Sequence, residues 1–382
     1  MTELSQRIIE IVRDEGPITF ARYQALALYD PEAGYYAAGT ERSGWGGHYI
    51  TSAQLDPAFG ALWAKGLEQL WGASGTPARW DVIELGPGEG AFAASILGAA
   101  HGAFGRALRY TLVERSPQLT ARQRELLADH DNVAWVSSAD EVPTAEAGVV
   151  VANEVLDNQP VHILERKDGA WLEVFVEEQG ERLERRLGPP SDARLTDYVG
   201  ATGAPSQNGS LVELSLDAEA LVTRAASLVQ RGAVVFVDYG AETAELFGRT
   251  AGTVVCYSAA GADDDPLDRP GEKDITSHAN WTIARQAVQA AGLAAIGPVP
   301  QRDVLIALGL RAMLDDAKEK QDKALAKGRG AEGFRAIARR QALATLADPS
   351  GLGGLQVFVG LKGIAHPPFL KEKSGPVARP AL

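Results

Sequence analysis

A carboxylate and three glycines at alternate positions stand together in VIELGPGEG, residues 82–90: Glu84, Gly86, Gly88 and Gly90. Glycines between a strand and a helix let the main chain approach a ligand and aim the free N–H groups of the helix end at it. The pattern lacks the Gly-Lys-Ser/Thr ending of a phosphate-binding loop, because Ala91 and Phe92 follow Gly90, and its G-x-G-x-G spacing departs from the G-x-G-x-x-G of dinucleotide sites. Glu84 selects further. A carboxylate at the strand end repels pyrophosphate and suits a cationic ligand without phosphate, and S-adenosylmethionine (SAM), with a sulfonium and an ammonium, has that charge.

Two more acids follow at useful distances. LRYTLVE ends in Glu114, twenty-four positions beyond Gly90, where in a nucleotide-type α/β fold an acid accepts hydrogen bonds from both ribose hydroxyls. Asp140, in SSADEVP, sits where an adenine amino group could be read, with an ordinary loop acid as the equal alternative. The run VVVANEVLDNQPVH then delivers Asn153, Glu154 and Asp157 to the end of a buried strand, where ligands bind in such sheets. Methyl transfer needs its nucleophile held in line and, where that nucleophile is protonated, a base. Paired carboxylates suit a guanidinium, whose planar fork takes bidentate hydrogen bonds. Glu154 and Asp157 are the candidate clamp; capping of a following helix by Asn153 or Asp157 is the competing role. Thr51 and Ser52, in GGHYITS, offer hydroxyls to cofactor or substrate or serve packing, and His48 offers a base near neutrality or a merely solvated ring.

The elements that must position these residues alternate. Helical spacing marks the N-terminus, closed by Gly16-Pro17, and FARYQALALYD, stopped at Asp30-Pro31; a glycine- and tyrosine-rich loop over residues 33–52 reads as a lid, and helix resumes from Gln54 to about Trp71. From Trp80 the order is strand DVIELG, helix AFAASILGAA, strand LRYTLVE, helix LTARQRELLADH, strand VAWV and strand AGVVVANE, which predicts a parallel sheet covered on both faces. VHILERKDG and AWLEVFVEEQGERLERRL have the period-two alternation of hairpins. A looser segment leads to a helix over residues 217–231 and the buried strand AVVFVDYG. Residues 261–274 read as a loop, ITSHANWTIARQAVQAAGL as the opening of a helix, residues 311–347 as a charged helical region, and GLQVFVGLKG as a closing strand.

Composition bounds the rest. The 382 residues allow about two domains, and a net charge of −13 argues against a protein whose affinity comes from neutralising nucleic-acid phosphates or anionic lipid. The N-terminal helix is too charged for a signal or membrane segment. A single cysteine, Cys256, excludes an internal disulfide framework and a cysteine-rich metal cluster, reads as a small buried hydrophobe and points to a reducing cytosol. The expectation is a cytoplasmic protein without metal, nucleic-acid partner or membrane insertion.

Taken together, ITFARYQALALYDPEAGYY, GGHYITS, VIELGPGEG, LVERSPQLTARQRELL, VVANEVLDNQPV, VDYG and PGEKDITSH resemble the MidA-like methyltransferases, a SAM-dependent class whose mitochondrial members assist respiratory complex I assembly and methylate an arginine of a complex I subunit. The resemblance implies an α/β class I (Rossmann-like) methyltransferase with a seven-stranded, mostly parallel sheet, an N-terminal helical cap and substrate-cleft insertions. It divides the chain into a cap and lid at residues 1–75, a methyltransferase domain at 76–365 with insertions at about 163–215 and 257–345, and a tail at 366–382. By the same resemblance Gly86, Gly88 and Gly90 line SAM, Glu114 meets its ribose, and Asn153, Glu154 and Asp157 face the methyl group. His48, Gln54 and Glu89 depart from the family pattern around the lid and glycine turn, which bears on the acceptor. The implied activity is methylation of a protein arginine, with a respiratory-complex subunit among the candidate protein substrates. The alternatives are the same fold acting on a small molecule or another protein nucleophile, and a SAM-binding assembly factor with little turnover, for which residues 311–340 would be the partner-binding helix.

Overall fold

Alternate residues of the apolar runs face opposite layers, and a central sheet follows from that. In the computed structural model, which describes residues 2–37 and 51–370, strands β1 (Trp80–Leu85), β2 (Leu108–Val113), β3 (Val133–Val136), β4 (Gly148–Asn153), β5 (Gly232–Asp238), β6 (Ala294–Pro300) and β7 (Gln356–Lys362) form one seven-stranded sheet in the order β6-β7-β5-β4-β1-β2-β3. Pairings among β1 to β5 are parallel, and β7 runs antiparallel to both β5 and β6. Val82, Val149, Val151, Val235 and Val357 pack on one side against Phe59, Trp63, Phe92 and Ile96; Ile83, Val150, Val234, Phe236 and Phe358 pack on the other against Val222, Ala225, Trp281 and Val288. A one-residue slip of any central strand would exchange its two buried faces, so the register is tightly specified.

The chain order reverses between β1 and β4. From β1 it runs outward to β2 and β3, then returns to β4 and β5 on the other flank. A crevice opens above the carboxyl ends of strands at such a switch point, and the glycine turn, Glu114 and Asn153 all stand at that end. Helices α1 (Glu3–Glu15) and α2 (Phe20–Tyr29) come before the sheet. Thr2 caps α1 by accepting from the Ser5 N–H at 3.0 Å. Their apolar faces pack against a second sheet through Ile8, Val12, Phe20, Tyr23, Val161, Ile163 and Val176. In that sheet Ala170–Gln179 pairs with Ile18–Thr19, His162–Lys167 and Arg182–Gly188.

Several elements differ from the sequence reading. The helix expected from Gln54 is two, α3 (Ser52–Leu55) and α4 (Ala58–Ala73), because Asp56-Pro57 breaks the ladder and Asp56 Oδ1 instead accepts from the Ala58 N–H at 2.8 Å. The looser segment before residue 217 holds a helix, Ala193–Ala201, and a strand, Leu211–Leu214. β6 went unread because its residues are half-exposed at an edge and its register shifts between Ile296 and Val299. Within the loop expected at 261–274, Gly261–Asp263 pairs with Val255–Ser258, and Asp274 opens a further strand, Asp274–Thr276. The helix after it begins only at Trp281, capped by Asn280. The glycine turn leads into α5 (Ala91–Ala99), and α6 (Pro117–Leu126) follows β2. The charged region is a helical hairpin of α7 (Leu310–Ala326) and α8 (Gly330–Ala347), turned at Lys327–Arg329, where Gly328 takes a φ of 65°.

Candidate active site

A cavity of about 750 Å³ lies over the carboxyl ends of β1, β2 and β4, within the size range of small-molecule and cofactor sites. Glu84, Gly86, Gly88, Glu114, Asp140, Asn153, Glu154 and Thr51 all line it. Three residues expected there do not. Gly90, Ser52 and Asp157 stand behind the lining, and each has a different task.

The three glycines of the turn separate cleanly. All have positive φ, 61° at Gly86, 54° at Gly88 and 84° at Gly90, a region that side chains other than glycine rarely adopt. A Cβ on Gly86 would lie 2.9 Å from Val155 Cγ2, and one on Gly90 would lie 3.2 Å from Gln123 Cγ. Those two glycines admit neighbouring side chains. A Cβ on Gly88 would meet no protein atom within 4 Å: its bare backbone faces the cavity.

Glu84 is buried at 2% exposure and accepts from the Tyr110 hydroxyl at 2.7 Å. Burial pushes its carboxyl up to about 7, against the hydrogen bond from Tyr110 that lowers it. Glu114, on the next strand, accepts from the Ser116 N–H at 2.8 Å, and burial raises it too. Between Glu114 and the glycine turn lies Gln123 of α6, fully buried, whose Nε2 donates to the Gly88 carbonyl at 2.6 Å and reaches Glu114 Oε2 at 3.5 Å. Gln123 holds the glycine turn against the second acid. In sequence it is one polar residue in a polar helix, and nothing distinguishes it there. Asp140 is largely exposed and pairs with Arg224 at 3.3 Å. Glu89 pairs with Arg122 at 2.9 Å across the rim of the turn, so the acid at that departure is neutralised by this chain itself.

At the end of β4 the chain is strained. Glu154 has φ 54°, uncommon for a residue with a side chain, and its N–H is fixed to the Val237 carbonyl at 2.7 Å. That turn brings its carboxylate to the cavity, where Oε1 accepts from Asn153 Nδ2 at 3.0 Å and from the Ser52 N–H at 3.2 Å. Ser52 therefore steadies Glu154, and its hydroxyl is taken by Gln301 Nε2 at 2.9 Å. Thr51 donates to Gln54 at 3.2 Å. Asp157 is buried with its Oδ1 unpaired among the described residues.

Asp238, at the end of β5, accepts from the main-chain N–H groups of Val155, Leu156 and Asp157 at 3.0, 2.7 and 3.3 Å. Asp274 accepts from the Tyr36 hydroxyl and from Asn158 Nδ2, each at 2.9 Å. Burial raises all four carboxyls, Glu154 and Asp274 to about 7 and Asp157 and Asp238 upward in the same direction, with mutual repulsion adding to Glu154 and Asp157. None of the four forms an ion pair among the described residues. The sequence reading passed over Asp238 and Asp274, although VDYG carries the signal of an acid closing a wholly apolar strand. His48 lies outside the described residues.

The cavity fits a cationic cofactor. Glu84, Glu89, Glu114, Asp140, Glu154 and Asp217 line it against Arg115 and Arg224, and Arg224 is already paired. That balance repels pyrophosphate.

A seven-stranded sheet with one reversed strand, a glycine turn and an acid after β2, all around an acidic cavity, defines a class I SAM-dependent methyltransferase. The chain belongs to the S-adenosyl-L-methionine-dependent methyltransferase family whose model matches residues 62–299. It is similar to "Protein arginine methyltransferase NDUFAF7, mitochondrial" of Danio rerio, 28% identical over 327 residues that cover 77% of this chain and 74% of that one. It is also similar to the mitochondrial NDUFAF7 homolog of Drosophila melanogaster, 27% identical over 389 residues covering 94% and 84%. Among solved structures, a COG1565 superfamily member from Burkholderia thailandensis bound to S-adenosyl-homocysteine superposes with a TM-score of 0.83 at 28% identity, over 96% of this chain and 94% of that one. The cofactor is SAM. The expected cytoplasmic location is corrected by the relatives, which carry mitochondrial names: one buried cysteine fits any reducing interior and does not single out the cytosol.

Proposed function

We propose that this methyltransferase acts on a protein arginine, whose guanidinium is received by Glu154 with Asp157, Asp238 and Asp274 behind it. The observation that carries the reading is a set of four carboxylates, Asp157, Asp238 and Asp274 buried and Glu154 half-buried at the cavity wall, without an ion-pair partner among the described residues. Uncompensated buried acids are costly unless protonated or matched by a cation, and a guanidinium supplies a planar, permanently charged partner. The relatives named protein arginine methyltransferases support the same acceptor.

Glu84 and Glu114 would hold the cofactor's cationic and ribose parts, with the Gly88 backbone beside it and Asp140 toward the base; when bound, SAM supplies a methyl group on a cationic sulfur open to displacement. Glu154 then has two tasks. Its carboxylate holds the guanidinium through the fork, and, with an affinity for protons near neutrality, it takes the proton that the attacking nitrogen loses. Asn153 fixes the orientation of Glu154. Asp157, Asp238 and Asp274 keep the pocket negative, which favours the cationic acceptor over a neutral one.

The test is methyl transfer followed by mass spectrometry of proteins from cells with and without this chain, together with Glu154→Gln. The expected outcome is arginine methylation that depends on the chain, and a kcat about 100-fold lower in the variant, the lower range for loss of a general base, with SAM affinity retained. Undiminished turnover in Glu154→Gln, or methylation confined to residues other than arginine, would overturn the reading.

A further inference from the structure

The hairpin of α7 and α8 is not consumed by the site. Its base packs into the core through Leu310, Ala317, Leu343 and Leu346. Beyond Ala317 on α7 and before Leu343 on α8, the fully buried residues are Ala324 and Gly333, and these lie on each other: a Cβ on Gly333 would be 3.9 Å from that of Ala324. Roughly 15 Å of each helix, ten residues at 1.5 Å, therefore buries its side chains mainly against its partner helix, with the Arg339–Asp56 pair tying α8 to the body at its lower end. The feature is a finger.

Its tip is unusual in two independent ways. Phe334 is 75% exposed and Leu325 55%, the most exposed large apolar side chains among the described residues, and they share the apex, with Leu325 lying against Gly333 next to Phe334. Around them the charge runs opposite to that of the molecule. Residues 323–340 contain Lys323, Lys327, Arg329, Arg335, Arg339 and Arg340 against one acid, Glu332, in a chain of net charge −13. Lys323 and Arg329 are paired within the finger, and Arg339 lies 3.9 Å from Asp56. Lys327, Arg335 and Arg340 form no ion pair among the described residues.

We propose that the finger tip docks on an anionic phospholipid surface, with Phe334 and Leu325 entering the headgroup layer and Lys327 and Arg335 meeting lipid phosphates. Apolar side chains collared by cations are what such an interface takes up. Phe334 and Leu325 stand exposed at the apex of the hairpin, and a fluid headgroup layer takes up such side chains without a matching pocket. No helix among the described residues is long and apolar enough to cross a membrane, so the contact is superficial. The acidic remainder is repelled by the same surface, which turns the finger toward it.

Co-sedimentation of the full chain with vesicles tests this. The expected result is binding to phosphatidylcholine vesicles containing about one-third phosphatidylglycerol, none to phosphatidylcholine alone, and loss of binding as salt rises from about 0.1 M to about 0.5 M. Lys327→Gln with Arg335→Gln should lower partitioning about 25-fold, at roughly 5-fold for each cation near the surface, and Phe334→Ser should lower it separately. Both variants should bind SAM as the unaltered protein does, which shows that they are folded. Failure of the unaltered chain to sediment with the anionic vesicles, partitioning that neither variant changes, or capture of an acidic polypeptide without vesicle binding would each overturn the proposal.

Discussion

At the scale of single residues, the three glycines of the turn look equivalent in sequence and are not equivalent in space. Gly86 and Gly90 are bare so that Val155 and Gln123 can approach, whereas Gly88 is bare toward the cavity. Gly88→Val should therefore raise the dissociation constant for SAM at least 100-fold, about 3 kcal/mol, by placing a side chain in the ligand's volume. Backbone strain is the confounding effect, since φ is positive. At Gly75, with φ 83°, a Cβ would likewise meet no atom within 4 Å, and this residue does not line the cavity, so Gly75→Val measures the strain alone and should leave affinity unchanged. Isothermal titration of both variants decides it; micromolar SAM binding by Gly88→Val would remove this glycine from the site. Glu84, Glu114 and Glu154 were readable because each closes an apolar strand, which is a local pattern. Gln123 and Asp274 were not, because they matter through contacts across the fold, to the Gly88 carbonyl and to Tyr36.

At the scale of elements, the ends of β4 and β5 act as one unit. The segment after Glu154 has its first N–H groups gathered on the Asp238 carboxylate, and the strained φ of Glu154 depends on that anchorage. Asp238→Ala leaves four main-chain donors, the N–H groups of Val155, Leu156, Asp157 and Tyr239, without this acceptor and should destabilise the protein by about 3 kcal/mol, the upper range for such groups after relief of a buried charge. Asp238→Asn keeps an acceptor oxygen, so it should fold nearly as well yet lower kcat at least about 10-fold, the size of effect expected from misplacing a catalytic group, with SAM affinity little changed. Urea unfolding and steady-state kinetics separate the two; equal kcat in Asp238→Asn and the unaltered enzyme would reduce Asp238 to a structural acid. The main strands were legible for the same reason that the unit works: central strands buried on both faces are continuous apolar runs. β6 escaped because an edge strand with a register shift has no such run, and the divided α3 and α4 because helical spacing continues through Asp56-Pro57 while the backbone does not.

At the scale of the molecule, a cavity lined and backed by desolvated acids has a cost that pH exposes. Glu84 is fully buried, and its carboxyl is raised from an ordinary 4.5 to about 7. A group with a raised folded value contributes its full stability below its unfolded value and loses it as pH climbs through the folded one. The ligand-free protein should therefore lose about 3 kcal/mol from Glu84 between pH 4.5 and pH 8, at 1.36 kcal/mol for each pH interval of one, and Asp274 and Glu154 push in the same direction. Asp192, held at about 2 by Arg194, acts oppositely, but on an exposed surface and only below about pH 4, its unfolded range. Glu84→Gln keeps an acceptor for the Tyr110 hydroxyl and removes the titration. It should flatten the decline of urea stability between pH 5 and 8 and make the ligand-free protein more stable at pH 8, while weakening SAM binding. In the unaltered protein SAM should bind with release of a proton near pH 7, because the cationic ligand draws Glu84 into its charged form, so the titration heat should vary with the ionisation enthalpy of the buffer. A heat independent of buffer, together with an unchanged pH slope in Glu84→Gln, would show that this carboxylate is neither the cofactor's counter-charge nor a cost to the fold.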